Sequence, residues 1–342
     1  MFKQRNFKPI RDEYLGHSMW HIKKNYLHMK RILTLFALAM VLVANAQQDA
    51  EYTMYRFNGL YLNPAYAGSR EVISTTAIYR HQWVNVPKAP RSASIAVHSP
   101  LRNNNIALGM IYTHDRLGVA NTNNLMLNFA YRVPLGKKKK VKMAFGIGAG
   151  FTNYNANLND VKTQTGNDPS FAGNNLSLWL PNVSAGIYVY SEKFWIGVAV
   201  PNLLQSALGS NFKIYDTGTS AARRYTHMNA TAGYVFSLGR KVKFMPSILM
   251  KYVPKFAPID FDFNVAFIFV DRVWIGAGYR LQDSYSFMAA VNITRQLRIG
   301  YAYDLTVSKL SPYTSGTHEV MLGYDFDFKG RRVVNPRSVR YF

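Results

Sequence analysis

Few of the residue types that perform chemistry stand at useful spacing in this chain. The eight histidines do not cluster. His17, His21 and His28 fall near the N-terminus, and His81, His98, His114, His227 and His318 stand singly, so none is at metal-ligand spacing. There is no cysteine, hence no disulfide framework and no thiolate metal site. Gly146-Ile147-Gly148-Ala149-Gly150 has the glycine density of a nucleotide loop, but it lies within strand alternation and no helix follows, so that reading fails. Asp260 with Asp262, and Asp325 with Asp327, each put two carboxylates on one face of a strand. They suit a cation, a selectivity ring, or ion pairs with Lys241, Lys243, Lys251 and Arg298; the ion pairs are preferred. No catalytic residue, metal or cofactor is expected.

The elements that position these residues are strands. From Ile73 onward the hydrophobic period is two. The expected strands are Ile73 to Trp83, Arg91 to Ser99, Asn104 to Asp115, Asn121 to Leu135, Lys140 to Tyr154, Asn182 to Ser191, Phe194 to Pro201, Arg224 to Leu238, Lys241 to Pro254, Pro258 to Val270, Arg272 to Leu281, Asp283 to Ile293, Arg295 to Asp304 and Thr317 to Phe328. That makes about fourteen, an even number. Ile259, Phe261, Phe263, Val265, Phe267 and Phe269 share one face; Asp260, Asp262 and Asn264 share the other. In the last strand Val320, Leu322, Tyr324, Phe326 and Phe328 oppose Met321, Gly323, Asp325 and Asp327.

Alternation of this kind suits a soluble sandwich with its apolar face inward or a membrane barrel with its apolar face outward. Strands of ten or more residues cross a bilayer at a tilt, and aromatics gather near strand ends as interface girdles do. Lipid demands that every backbone group be paired, which strands achieve only by closing. The expected fold is therefore all-β: a transmembrane antiparallel β-barrel of outer-membrane type over residues 73–328. The glycines at 146, 148, 150, 276 and 278 fall on the inward face. They fit either a lumen filled by a plug or by the inward-folded N-terminal segment, or ordinary barrel curvature.

Connections alternate in length. Pro100 to Asn103, Gly136 to Lys139, Ser191 to Lys193, Gly239-Arg240, Asp271 and Thr294 are short. Val84 to Pro90, Arg116 to Ala120, Asn155 to Pro181, Asn202 to Arg223 and Leu305 to Gly316 are longer. Short turns face the periplasm in such barrels, so both termini are expected there, with the Glu51 segment and the tail together under one mouth. Lys137 to Lys140 is a basic turn at that end, solvated or in contact with an acidic partner or lipid headgroups.

Met29 to Ala46, MKRILTLFALAMVLVANA, reads as a signal peptide. Lys30 and Arg31 form its positive region, Ile32 to Val43 an apolar run too short for a membrane helix, and Ala44-Asn45-Ala46 a cleavage site. Residues 1–28 are read as a start-site artefact, with Met29 the true start. The net charge of the full chain is +23. Residues 1–46 hold eight basic and two acidic residues, so 33 basic and 16 acidic remain beyond them, about +17. Nucleic acid is the usual partner of such a charge, but the bases are scattered and no finger, RNP or helix-turn-helix pattern accompanies them. The same compositional view shows only 17% charged and 14% aromatic residues, leaner in charge than a soluble domain.

Glu51 to Glu71, EYTMYRFNGLYLNPAYAGSRE, has no strand period. It is dense in aromatics, among them Tyr55, Phe57 and Tyr66, and Asn63-Pro64-Ala65-Tyr66-Ala67-Gly68-Ser69 reads as a turn. Residues 47–72 are taken as a plug-like or periplasmic segment. At the other end, KGRRVVNPRSVRYF continues past the last strand as a tail of residues 329–342. The aromatic stretch followed by Asn-Pro-Ala-Tyr-Ala-Gly resembles the PorP/SprF family, outer-membrane barrel proteins of the Bacteroidetes type IX secretion system. Thr317 to Tyr324 resembles that family's last strand. Asn335-Pro336-Arg337 through Tyr341-Phe342 resembles its Pro-Arg-aromatic-Phe ending, with Ser338-Val339-Arg340 inserted.

The resemblance implies a non-enzymatic outer-membrane component supporting secretion or surface delivery of cargo, adhesins and gliding motility included. It implies as partners outer-membrane lipid, the periplasmic ring of the secretion system and cargo bearing a C-terminal sorting domain. The residues expected to bind partners are Tyr55, Phe57, Asn63, Pro64, Tyr66, Gly68, Arg331, Arg332, Pro336, Arg337, Arg340, Tyr341 and Phe342. The alternative function is a passive transporter or porin for small or hydrophobic solutes. A surface hydrolase ranks third: some outer-membrane barrels carry a Ser-His-acid site, and Ser–His pairs can be drawn here, but order along a chain does not identify a triad.

Overall fold

A computed structural model describes residues 50–101, 104–137, 140–157, 176–204, 226–254 and 259–326. The leader with its cleavage site, and residues 327–342, lie outside them. The strands are β1 Ile73–His81, β2 Arg91–Pro100, β3 Ile106–Leu117, β4 Ala120–Leu135, β5 Val141–Ala156, β6 Leu176–Tyr190, β7 Phe194–Val200, β8 Met228–Tyr234, β9 Phe236–Ser237, β10 Val242–Tyr252, β11 Asp260–Phe269, β12 Val273–Arg280, β13 Ser284–Asn292, β14 Leu297–Thr306 and β15 Thr317–Phe326. Each pairs antiparallel with its sequence neighbours. β8 and β9 are two pieces of one stave, broken at Val235, and both pair with β10. β15 returns to β1 from Ile73↔Phe326 to His81↔His318. The sheet is thus a closed barrel of fourteen staves.

Which face meets lipid follows from exposure. On β11, Asp262, Asn264, Ala266 and Ile268 are buried, while Phe263, Val265, Phe267 and Phe269 are exposed. The same inversion holds on β4 and β15, where Leu127 and Leu322 face out and Asn128 and Glu319 are buried. Exposed apolar side chains around a polar interior describe a barrel whose outer solvent is hydrocarbon. Among the described residues no helix is long and apolar enough to cross a membrane.

Turn chemistry sets the hairpins. Val270 and Asp271 have φ 51° and 55°, the pair of positive angles of a two-residue turn that matches strand twist. Two boundaries differ from the sequence expectation. β6 begins at Leu176 rather than Asn182, because Leu176 to Pro181 pairs with β5 in unbroken register. The Arg116 to Ala120 connection, expected to be long, is a tight turn with Gly118 at φ 64°.

A plugged lumen as the candidate functional site

Residues 50–72 are not part of the wall. They make a 3₁₀ turn at Tyr55–Phe57, a short helix at Gly59–Leu62 and a second 3₁₀ turn at Pro64–Tyr66. No strand forms because the backbone has no neighbour in register; its N–H groups mostly bond its own carbonyls in tight turns, and those of Thr53, Met54 and Gly68 are taken by side chains of the wall. Tyr52, Met54, Tyr55, Phe57, Leu60, Leu62, Ala65 and Tyr66 belong to one buried cluster with inward residues of the strands. This segment is the core of the molecule.

The segment begins at the end of the lumen where the longer loops lie. Glu51 accepts from Lys251 at 2.7 Å and from Arg280 at 2.9 Å. Burial opposes ionisation of Glu51, but the Arg280 and Lys251 charges hold its carboxyl well below the usual carboxylate range. Next, Glu319 accepts the backbone N–H groups of Thr53 and Met54 at 2.8 and 2.7 Å, one on each oxygen. Arg80 bridges Glu319 at 3.0 Å and Asp304 at 2.7 Å, and the Thr53 hydroxyl donates to Asp304 at 2.7 Å. Arg80, Asp304 and Glu319 are each at most 2% exposed. Such charges are stable in a dry interior only when paired with one another in this way.

The middle of the segment crosses the lumen. Tyr55 accepts from the amide of Asn264 at 3.3 Å. Phe57 meets Trp274 edge-on at 6.0 Å, with the Arg298 guanidinium 5.3 Å from the Phe57 ring centre. Asn63 does two tasks. Its oxygen caps the Pro64–Tyr66 turn by accepting from Ala65 N at 2.9 Å, and its amide donates to the Ile187 and Val198 carbonyls of β6 and β7 at 2.9 and 3.4 Å. A Cβ on Gly186 would lie 2.2 Å from Asn63 Oδ1, and one on Gly146 only 2.1 Å from Ala65 N. These inward glycines are close-approach notches for another stretch of backbone. Tyr66 packs edge-on against His98 and Tyr188.

The segment leaves at the opposite end. Gly68, at φ 68°, donates its N–H to His98 at 3.1 Å and accepts from Arg132. Arg70 pairs with Asp325 at 2.7 Å, and Glu71 with Lys142. So Glu51 stands at the long-loop end and Arg70 at the short-turn end, where β15 finishes. Glu51 was expected together with the tail of residues 329–342 under one mouth; that tail lies outside the described residues, and the segment itself runs from Glu51 at the long-loop end to Arg70 at the short-turn end.

Tyr55, Phe57, Asn63, Pro64, Tyr66 and Gly68 all lie in this segment. The five with side chains are buried against the wall, and Gly68 packs against Ala107 and Arg132. Arg331, Arg332, Pro336, Arg337, Arg340, Tyr341 and Phe342 lie outside the described residues, as does Asp327. The paired aspartates make their direct ion pairs with other residues than expected, although Lys251 and Arg298 attract Asp260 and Asp325 through charge. Asp262 meets Arg280 at 3.1 Å and Asp325 meets Arg70, while Lys251 serves Glu51, Lys243 serves Asp271 at 2.6 Å, and Lys241 is exposed. Arg80, Arg280 and Glu319 were missed. The signal for them was parity: each occupies an inward position of an alternating strand, where a charge demands a partner. Of the histidines, His98 accepts from Gly68 and His318 contacts the Tyr301 hydroxyl at 2.6 Å. Among the described residues no group of three or more His, Asp or Glu side chains is arranged to hold a metal.

A closed, even-staved barrel with an apolar exterior and a polar, occupied lumen defines an outer-membrane β-barrel protein. Several solved outer-membrane proteins are similar to this chain at low identity. Omp33 of Acinetobacter baumannii is 8% identical, covering 75% of this chain and 98% of its own at a TM-score of 0.41. A FadL homologue of Pseudomonas aeruginosa is 11% identical over 83% and 96%, at 0.42. The CymD monoaromatic hydrocarbon channel is 10% identical over 80% and 93%, at 0.47. No curated protein sequence matches. The model of one family, the type IX secretion system membrane protein PorP/SprF, matches residues 44–324, and the chain belongs to that family.

Proposed function

We propose that this protein is a non-enzymatic component of the type IX secretion system that supports secretion or surface delivery of cargo proteins, adhesins among them, with gliding motility as one output. The observation that carries this reading is the threaded lumen. A barrel core-packed with its own backbone, anchored by a buried Arg80–Asp304–Glu319 cluster, is a rigid body for partners to dock on rather than an open path for solute.

In this reading the short-turn end faces the periplasm, as in such barrels. The tail then emerges there and offers Arg331, Arg332, Pro336, Arg337, Arg340, Tyr341 and Phe342 to the periplasmic ring. Tyr55, Phe57, Asn63, Pro64, Tyr66 and Gly68 serve partners by fixing the segment whose two ends reach the two mouths. Cargo with a C-terminal sorting domain engages the long-loop end.

The test is a pull-down from detergent-solubilised outer membrane, comparing the full chain with one ending at Phe328. Co-purification of ring proteins or a secreted adhesin, lost on truncation, supports the tail as a docking element. A barrel recovered alone in both cases overturns it. A cavity beside the plug, lined by Leu60, Ile111, Met126, Asn128 and Asn229, favours the passive-transporter alternative, which predicts solute conductance in liposomes and no secretion defect on deletion.

A further inference from the structure

Four of the turns at the short-turn end share one spacing. Leu135-Gly136-Lys137 leads from β4 to β5, Leu238-Gly239-Arg240 from β9 to β10, Val270-Asp271-Arg272 from β11 to β12, and Ile293-Thr294-Arg295 from β13 to β14. In each, an exposed apolar side chain is followed two residues later by an exposed base. The apolar member is held in the wall. Leu135 pairs with Val141, and the N–H groups of Leu238, Val270 and Ile293 donate to the carbonyls of Val242, Lys241 and Leu297 at 3.0, 2.7 and 2.9 Å. The base stands beyond it, in the turn. Lys140 and Lys241 add exposed cations to two of the same turns.

Two tight turns of the long-loop end give the contrast. Leu117-Gly118-Val119 and Leu281-Gln282-Asp283 also begin on an exposed leucine, but the third residue is Val119 in one and the acid Asp283 in the other. The apolar residue is common to both mouths, and the base is not. Where the bases stand says what they meet. Leu135, Leu238 and Ile293 continue the exposed rows of Leu127 and Phe129, of Tyr234 and Phe236, and of Tyr285 and Phe287. Those rows face hydrocarbon, so a base two residues past their end, about 6–7 Å at the strand rise, stands at the level of headgroup phosphates. A protein docked beneath the mouth would reach the bases but not the apolar side chains beside them. Arg272 leans toward the Ile293–Arg295 turn, donating to the carbonyls of Asn292 and Ile293 at 3.3 Å, so two guanidinium groups gather at that place.

We propose that the short-turn mouth carries a cationic collar for anionic phospholipid headgroups, in which Lys137, Arg240, Arg272 and Arg295 meet the phosphates while Leu135, Leu238, Val270 and Ile293 meet the first carbons of the acyl chains. Long basic side chains suit this place, since an aliphatic stem lies along the apolar surface while the charged head reaches the polar layer. Each base near an anionic membrane surface adds attraction of its own, and the turns distribute these attractions around one rim. The collar goes beyond the secretion reading and does not depend on it, nor on which compartment this mouth faces.

The chain has no cysteine, so one introduced cysteine carries a fluorophore to one chosen place. The full-length barrel labelled at Ile293→Cys is reconstituted in phosphatidylcholine vesicles with rising fractions of nitroxide-labelled phosphatidylglycerol or nitroxide-labelled phosphatidylcholine. Half-maximal quenching is expected at about five-fold less of the anionic lipid, the ratio one base near a charged surface supplies. A label at Leu281→Cys, beside Asp283, is expected to show no such preference. Arg272→Gln together with Arg295→Gln is expected to remove the preference at Ile293. Salt at about 1 M, which screens charges beyond about 3 Å, is expected to weaken it with all bases in place. Should those variants fail to give the heat-modifiable gel migration of a folded barrel, a label at Leu238→Cys with Arg240→Gln and Lys241→Gln carries the same expectation. Equal quenching by the two lipids at both Ile293 and Leu238, the same preference at Leu281, or a preference that survives loss of the bases overturns the proposal.

Discussion

On the side of the lumen formed by β10–β15 and β1, the inward positions include Arg80, Asp262, Arg280, Asp304 and Glu319, all buried. On the side formed by β2–β8 they are chiefly Ser92, Ser94, Ala96, Ala130, Ala144, Asn182, Ser184 and Ala199, with Gly146, Gly148 and Gly186 between them. The first wall grips the plug by charge at its start. The second grips it by shape, with glycine notches and neutral amides, and closes on it with charge only near the short-turn end, through Arg132 and Lys142. A charged grip is directional and expensive to break, since each group left behind is an ion without water. A grip by shape fails by overlap or by a void. The two walls should therefore respond differently to substitution.

The largest effect is expected on the charged wall. Arg80→Met leaves Asp304 and Glu319 as neighbouring buried carboxylates and should cost about 3–5 kcal/mol. It would be read as a lower unfolding temperature in detergent and faster hydrogen exchange at residues 52–54. Lys243→Met, at a pair that is 18% and 25% exposed, should cost under about 1 kcal/mol. Equal costs for the two would remove the distinction drawn between a buried grip and a rim contact.

On the neutral wall Gly146→Val forces a side chain to within 2.1 Å of the Ala65 nitrogen. Overpacking of this kind costs roughly 1–3 kcal/mol, and here the plug, not the hydrogen-bonded wall, is free to move. Conductance in planar bilayers should rise while the barrel stays folded. Gly323→Ala, whose Cβ would find its nearest neighbour at 3.6 Å, should leave conductance unchanged. If both substitutions behave alike, the notch is not what seats the plug.

Acid tests the charged wall without mutation. Glu51 ionises in the folded protein well below its ordinary value of 4.5. Its contribution is therefore complete above about pH 4.5 and is lost as pH falls from there toward the lower folded value. Exchange protection at residues 51–53 should hold at neutral pH and decline in that acid window, and Glu51→Gln should flatten the profile. A modest effect is expected for Asn63→Ala, about 1 kcal/mol for its exchanged hydrogen bonds. Asn63→Asp keeps the turn cap but loses both donations to β6 and β7, so it separates the two tasks by thermal melting.

Much of the wall was legible because alternation is a local property. The faces of β11, β14 and β15 follow directly from the order of Phe, Val, Leu and Tyr against Asp, Asn and Gly. The Asn63–Gly68 turn was legible for the same reason: Pro64 and Gly68 declare their backbone angles. The inward glycines of β5 were legible as openings, with an inward-folded N-terminal segment as one candidate filler, but ordinary curvature fitted them equally well. Ion pairing was anticipated with some of the right charges but not the direct partners: Lys251 and Arg298 do stand near Asp260 and Asp325, while the direct pairs are Asp262 to Arg280 and Asp325 to Arg70. Arg80 and Glu319 lie 239 positions apart, and only closure of β1 on β15 brings them together.

The sequence by itself determined a barrel of fourteen staves, its lipid-facing residues, its turns and its family resemblance, since each depends on neighbours two to four residues apart. Only the tertiary structure decided the course of residues 50–72. That segment has no period to read, and its direction is set by contacts hundreds of positions distant: Glu51 to Arg280 at one end, Arg70 to Asp325 at the other. A period declares which face of a strand meets lipid. What fills the lumen is declared only by the shape and charge of the closed wall.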